Sequence, residues 1–256
     1  MINLGASSEI IKNLIKKHYE PNYIVVDDLF VLSLDKCKQA QAKFCIICEE
    51  LIYSDEAKKL AEFYVSKVQA YKVSEKVFER ISSKENSAGI LLYVQLEQIQ
   101  QKCFSNFNKV LVCDGIEISG NIGTIVRTAE ACNFDAIIFT NLKAKVYDEK
   151  IVHSSRGMIF VVPFIILPWE QTVTLLEQNN ITPVVCEPEQ GEDYKAFDYK
   201  GKYAYVVGSE RFGCDNRWFN LNKVKYIKIP MLGQMHSLNV GVAASLIMYE
   251  ATFGVK

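Results

Sequence analysis

Val110-Leu-Val-Cys-Asp114-Gly-Ile-Glu-Ile-Ser-Gly-Asn121-Ile-Gly-Thr-Ile-Val-Arg127-Thr-Ala-Glu130 is the stretch whose reading decides the fold. Its first four residues form a continuous apolar run, the mark of a strand buried on both faces. The strand ends at Asp114, and Gly115, Gly120 and Gly123 permit tight turns after it. A helix is expected over Thr124–Cys132, with its free N–H groups near the loop. A second strand is expected at Ala136–Phe139. Strand, helix and strand make a βαβ unit and hence a parallel sheet. Open sheets of this kind bind ligands beyond the carboxyl ends of their strands. Asn121 and Arg127 lie less than two helical turns apart in that place, within reach of a common region. The loop is neither GxGxxG nor a Walker loop, and alone it is compatible with a plain connector.

Outward from this unit, strands are expected at Ile159–Val162, Pro183–Cys186, Tyr203–Val207 and Val224–Ile229, with a closing helix over about Leu238–Phe253. Toward the amino terminus, Ser8 caps a short amphipathic helix that includes Ile11 and Leu14. Tyr23–Leu34 reads as extended with a bend at Asp27-Asp28, and Phe44–Cys48 as a strand. Asp55 caps a helix over Glu56–Val68, with Ala57, Leu60, Ala61, Tyr64, Val65 and Val68 on one face. Ser74–Ile81 is a short helix and Ile90–Leu96 a strand. The pattern is a small α/β/α sandwich. Gln95–Asn108 is polar and marks a boundary. The organisation expected is a domain over 1–96, a helical linker over 97–108 and a second domain over 109–256.

The chain has 256 residues and a net charge of −1, with 49% hydrophobic and 23% charged residues. That is globular composition. Residues 1–107 carry 14 basic and 14 acidic residues, and the remainder 15 and 16. No basic arm exists, so a nucleic acid would have to use a local patch. The eight cysteines are scattered. With no signal-like apolar stretch at the amino terminus and no membrane span, they read as free thiols of a reducing, cytoplasmic protein. Cys45 and Cys48 have CxxC spacing but no second pair, and on a strand they point to opposite faces. No metal site is expected. No acid is spaced to make a hydrolase triad with His236, and His18 is expected on a polar helix face.

Two further segments carry chemistry. In Tyr203-Ala-Tyr-Val-Val-Gly208-Ser209-Glu210-Arg211-Phe-Gly213, an apolar strand runs directly into a carboxylate that needs a partner. Gly208 and Gly213 would let backbone approach a ligand, although a turn with a Glu210–Arg211 ion pair fits as well. In Ile229-Pro-Met231-Leu-Gly-Gln-Met-His-Ser237-Leu238-Asn239-Val-Gly241, Ser237 or Asn239 can cap the last helix.

Taken in this order, the three segments resemble the motifs of SpoU-class (SPOUT superfamily) RNA 2′-O-ribose methyltransferases, at Asn121–Thr128, Gly208–Gly213 and Ser237–Ala243. Ser155-Arg156-Gly157 and Ile-Pro-Met before Ser-Leu-Asn-Val are similar to the thiostrepton-resistance type. The motifs span 114–253; over the first hundred residues the likeness rests on pattern and order. The resemblance implies an α/β catalytic domain with a parallel sheet and a trefoil knot, and an amino-terminal domain like RNA-binding ribosomal proteins. It implies S-adenosylmethionine as cofactor, a homodimer, and structured RNA as substrate, ribosomal RNA first and transfer RNA second. It further implies cofactor contacts at Cys186, Gly208, Ser209, Glu210, Ile229, Met231, Ser237, Leu238 and Asn239. Catalysis would use Arg127, oriented by Asn121 and Glu210, with Ser237 and Asn239 placing the nucleotide. RNA contacts are expected at Arg127, Arg156 and Lys84, with Lys12, Lys16, Lys17, Asn86 and His153 as further contacts. A nucleotide-dependent oxidoreductase lacks its glycine loop here. A scaffold that has lost catalysis would lack Asn121, Arg127 or Glu210, and all three are present.

Overall fold

The computed structural model describes residues 1–83, 87–187, 189 and 191–254. In chain order the elements are β1 (Ile2–Asn3), α1 (Glu9–Ile15), β2 (Tyr23–Val26), α2 (Leu29–Ser33), α3 (Asp35–Gln39), β3 (Ala42–Ile47), α4 (Asp55–Lys67), β4 (Gln69–Lys72), α5 (Glu75–Ile81) and β5 (Ile90–Gln95). There follow β6 (Lys109–Asp114), α6 (Ser119–Ala131), β7 (Ala136–Thr140), α7 (Glu149–Ser154), β8 (Phe164–Ile166), α8 (Trp169–Gln178), β9 (Thr182–Cys186), β10 (Glu192–Asp193), β11 (Tyr203–Val207), β12 (Lys225–Lys228) and α9 (Val240–Phe253). The chain divides into two compact units, 1–97 with 147–160, and 98–146 with 161–256.

The first unit holds a five-stranded sheet in the order β1-β4-β3-β5-β2, in which β5 runs antiparallel to β2 and β3. Strand alternation sorts its core. Phe44, Ile46 and Cys48 join Ile11, Leu14, Phe78 and Leu91 in one cluster, and Cys45 faces the other way, as the CxxC spacing on a strand requires. Burial pushes the Cys45 and Cys48 thiols up to about 11. Ser8 accepts a hydrogen bond from Ile11 N and caps α1 as expected. His18 lies beyond the end of that helix.

Two expectations for this unit fail locally. Leu29–Ser33 is helical rather than extended, because the Asp28 carboxylate accepts the Val31 N–H and nucleates a turn. Helix α4 is capped by Ser54, one residue before Asp55. Val65, expected on the apolar face, is exposed at the rim of that face, which Ala57, Leu60, Ala61 and Tyr64 bury. Helix α7, which carries Glu149 and His153, belongs to this unit. Buried Glu149 accepts from Lys17 Nζ at 2.7 Å and from the Tyr19 hydroxyl. Lys17 is therefore engaged within the protein. His153 Nε2 lies 2.8 Å from Ser83 Oγ and 3.7 Å from Asp27 Oδ1. Arg156 has a left-handed backbone (φ 54°) and sets its guanidinium over the Phe30 ring at 5.0 Å. Lys84 and Asn86 lie outside the described residues.

The second unit is built on a seven-stranded sheet, order β10-β12-β9-β11-β6-β7-β8, in which every pairing is parallel. Val110, Leu111, Val112 and Cys113 are fully buried, which is why β6 is apolar without alternation. On one face Val110, Val112, Ile138, Val206, Leu176 and Trp218 form a core. Helices α6 and α9 pack together. Residues 98–107 are an integral part of this unit and not a free linker. Phe104 is fully buried in its core, Ile99 N donates to Phe164 O, and the Gln98 side chain accepts from Ile166 N. The strand expected at Ile159–Val162 forms instead at Phe164–Ile166, because Met158–Phe160 coils into a 3-10 turn behind Gly157 (φ 77°). Helix α6 begins at Ser119, so Gly120 and Gly123 are helical, and only Gly115 (φ 69°) makes the turn. No helix among the described residues is long and apolar enough to cross a membrane.

Candidate functional site

Strand order reverses direction at β6. From β6 the chain moves outward to β7 and β8, then returns to the other side for β9, β11 and β12. Neighbouring parallel strands whose following segments diverge leave a crevice beyond their carboxyl ends. The register pairs Cys113 with Val207, so β6 and β11 end side by side. The loop leading to Asn121 leaves one strand, and the turn holding Glu210 leaves the other.

Glu210 finds its partners at the start of α6. Its carboxylate accepts from Glu117 N at 3.1 Å, Ile118 N at 3.4 Å and Asn121 Nδ2 at 2.6 Å. An acceptor anion is well placed against the free N–H groups of a helix amino terminus. The carbonyl oxygen of the Asn121 side chain then accepts from Asn239 Nδ2 at 3.1 Å. The Asn239 carbonyl oxygen caps α9, accepting from Gly241 N and Val242 N. A continuous hydrogen-bonded chain, Glu210–Asn121–Asn239, thus joins all three segments singled out in the sequence. Below it, Thr128 Oγ1 and Ser245 Oγ lie 3.0 Å apart and tie α6 to α9.

Arg127 is not part of this chain. Six residues along a helix amount to about 600° of rotation and about 9 Å of rise, so Arg127 points about 120° away from Asn121. It is exposed and makes no hydrogen bond or ion pair among the described residues. The expected orientation of Arg127 by Asn121 and Glu210 therefore has no direct bond behind it. The alternative reading, a turn closed by a Glu210–Arg211 ion pair, does not form among the described residues, where Arg211 Nε approaches Glu117 at 3.6 Å.

Gly208 approaches the chain's own backbone rather than leaving room for a ligand. A Cβ there would sit 2.0 Å from the carbonyl carbon of Gly213 and 2.2 Å from Cys214 N. The turn between them is closed by paired backbone hydrogen bonds between Ser209 and Gly213 and by Ser209 Oγ accepting from Phe212 N. Gly208→Ala is expected to force this turn open. Soluble yield should collapse, or stability should fall by several kcal/mol, on the order of the largest single-site effects. A Gly208→Ala protein that melts within a degree or two of wild type would contradict the packing described.

The other expected cofactor residues gather near the same strand ends. Cys186 ends β9, beside Ile227 of β12, and burial pushes its thiol up to about 12. Ile229 and Met231 follow β12 and are half-buried, whereas Ser237 and Leu238 are exposed. Ser237 has no hydrogen bond among the described residues, and Asn239 is the cap. No cluster of three or more His, Cys, Asp or Glu suited to a metal occurs among the described residues.

Sequence reasoning missed Asp114. Its buried carboxylate accepts from Asn141 Nδ2 at 2.7 Å, Asp215 N at 2.7 Å and Trp218 Nε1 at 2.9 Å. It fastens the end of β6 to the segment that follows the Glu210 turn. The signal was present, because a carboxylate closing a buried strand needs partners at Asp114 for the same reason as at Glu210.

The model of the SpoU rRNA methylase family matches residues 108–249, which hold every member of the hydrogen-bonded chain. The chain belongs to the SpoU rRNA methylase family. This SpoU protein is 36% identical over 155 residues to a protein of Staphylococcus saprophyticus assigned to the TrmH family of tRNA/rRNA methyltransferases. That match covers 59% of the chain and 61% of the relative, less than two thirds of its length. The SpoU protein is also 26% identical over 204 residues, 80% of each chain, to the 23S rRNA (guanosine(2553)-2′-O)-methyltransferase RlmP of Bacillus subtilis. Two solved folds are similar across almost the whole chain. The AdoMet-bound rRNA methyltransferase of Sinorhizobium meliloti has a TM-score of 0.85 at 21% identity, covering 97% and 96% of the two chains. The AdoMet complex of the SpoU methyltransferase AviRb of Streptomyces viridochromogenes has a TM-score of 0.83 at 20% identity, covering 96% and 97%.

Proposed function

We propose that this SpoU protein transfers the methyl group of S-adenosylmethionine to a ribose 2′-hydroxyl in ribosomal RNA. The observation that carries the reading is the hydrogen-bonded chain Glu210–Asn121–Asn239 at the strand-order reversal. It binds the three family segments into one site. The relative RlmP, whose name gives it a ribose methylation in 23S rRNA, supports the substrate class.

The residues present fit the cofactor. Among the described residues the backbone over 229–238 makes no hydrogen bond within the protein, and Ile229 and Met231 offer half-buried apolar flanks. That segment would hold the adenosyl group through backbone donors and acceptors, with Gly208, Ser209 and Cys186 at the neighbouring strand ends and Ser237 and Leu238 closing over it. When bound, S-adenosylmethionine supplies an electrophilic methyl on a sulfonium centre. Transfer of that methyl to the ribose oxygen would leave a neutral thioether on the cofactor and release the hydroxyl proton to solvent. Arg127 acts as a donor fork that grips a phosphate and stabilises the developing oxyanion. A guanidinium is not a base, so Arg127 holds charge rather than taking the proton. Asn121, Glu210 and Asn239 hold the crevice to one geometry, which keeps hydroxyl and methyl in line.

The same reading, by family resemblance, places a trefoil knot in the carboxyl-terminal half. It places a second copy of the chain on α9. That helix is apolar around its circumference yet exposes Val242, Tyr249 and Phe253. It gives the first unit an RNA-holding role, with Lys12 and Lys16 of residues 1–96 and Arg156 of the 147–160 segment exposed for it. A cytoplasmic setting agrees with eight free cysteines.

Incubation with methyl-labelled S-adenosylmethionine and unmodified 23S ribosomal RNA is expected to yield alkali-resistant labelled dinucleotides. Labelling of transfer RNA instead would move the substrate. Failure to bind S-adenosylmethionine would overturn the reading.

A further inference from the structure

Phe212 is 75% exposed at the tip of the Ser209–Gly213 turn, two residues from Glu210. Lone surface apolar residues need no explanation, but this ring has built surroundings. Lys143 Nζ lies 4.8 Å from the ring centroid, over one face. Lys143 is itself fixed by Glu117 Oε1 at 2.9 Å, and Glu117 also meets Arg211 Nε at 3.6 Å. Lys143 holds the Glu117 carboxyl below the usual range. The backbone N–H of the same Glu117 donates to Glu210 at 3.1 Å. Glu117 therefore couples the turn tip to the hydrogen-bonded chain of the site. One carboxylate, Glu117, is shared by the two cations that flank the ring.

We infer that Phe212, with Lys143 and Arg211, is a stacking platform for an RNA base next to the target nucleotide. This rests on the reading of the protein as an RNA methyltransferase, and it names a residue that selects and steadies the substrate. An aromatic face rimmed by cations matches single-stranded RNA, whose unstacked bases lie on aromatic rings while its phosphates meet Lys and Arg. A second protein chain is the poorer occupant. Cores of protein interfaces are depleted in Lys, and α9 offers an exposed apolar face of Val242, Tyr249 and Phe253 with no charge among them. The near-neutral chain also needs local patches of this kind to hold RNA at all.

The test uses the full-length protein and a labelled 23S ribosomal RNA transcript, with affinity read by filter binding, S-adenosylmethionine affinity by calorimetry and assembly by sedimentation. Phe212→Ala and Phe212→Leu are expected to weaken RNA binding by about ten- to a hundredfold, the range for loss of one stacked base. Phe212→Trp should stay within about threefold of wild type, and S-adenosylmethionine affinity should be unchanged in all three. Lys143→Ala should weaken RNA binding and flatten its salt dependence. Unchanged RNA affinity in Phe212→Ala overturns the platform, as does full recovery by leucine, which packs but does not stack. Loss of assembly in step with loss of RNA affinity would assign Phe212 to a protein contact and overturn it as well. Binding, not methyl transfer, is the readout. A wild type that binds RNA but fails to methylate it would count against the proposed reaction and leave the platform standing or falling on its own numbers.

Discussion

Arg127→Ala is expected to lower methyl transfer by about two to three orders of magnitude while S-adenosylmethionine still binds with wild-type affinity. The size follows from removing one preorganised donor to a developing oxyanion, with a lost phosphate contact adding to it. The specificity of the effect follows from the structure. Arg127 is exposed and bonded to nothing among the described residues, so its truncation leaves no buried group unpaired and should not move the melting temperature. Arg127→Lys keeps the charge but loses the planar fork, and it should recover only a small part of the rate. Single-turnover transfer at saturating RNA separates the two contributions. A phosphate grip alone would raise KM and spare the rate, whereas oxyanion stabilisation lowers the rate itself. An Arg127→Ala protein that keeps its rate within about threefold would remove Arg127 from the chemistry.

Asp114→Ala should instead act on folding. It strips the acceptor from Asn141 Nδ2, Asp215 N and Trp218 Nε1 together. Trp218 is fully buried, so its indole N–H has no solvent to turn to. Orphaned buried donors cost about 1–3 kcal/mol each, and a loss of at least about 3 kcal/mol is expected. Both tryptophans of the chain, Trp169 and Trp218, lie in the second unit, so their fluorescence reports the unit that carries the change. The urea midpoint should fall at an unchanged slope. Asp114→Asn keeps one oxygen but turns an NH2 toward a donor, and it should fall between the two. A midpoint within about 0.5 kcal/mol of wild type for Asp114→Ala would refute the fastening role.

The parallel sheet and the three chemical segments were legible because buried parallel strands are continuous apolar runs, and Val110–Cys113 and Tyr203–Val207 are such runs. The cap at Asn239 was legible from residue type. Three features were not. Leu29–Ser33 has the composition of a strand, and only the Asp28 side chain decides for helix; short apolar runs are ambiguous by periodicity. The first turn of α6 was hidden because Gly120 and Asn121 are poor helix formers, tolerated where no i−4 acceptor is yet required. The backbone partners of Glu210, the N–H groups of Glu117 and Ile118, were hidden because they belong to a segment about ninety residues away. Linear spacing also placed Asn121 and Arg127 closer in direction than helical rotation allows.

The sheet order has a consequence for how the chain is made. The strands of the amino-terminal sheet are complete by Gln95. Strand β6, finished at Asp114, soon gains β7, but its other neighbour β11 begins only at Tyr203. At about 5–20 residues per second of synthesis, one edge of this buried strand waits for several seconds without its pairing partner. Sequence-distant parallel pairing is slow to close and open to misassociation while it waits. Recovery of active protein should therefore depend on the speed of translation and on chaperone supply more than the stability of the finished fold would indicate.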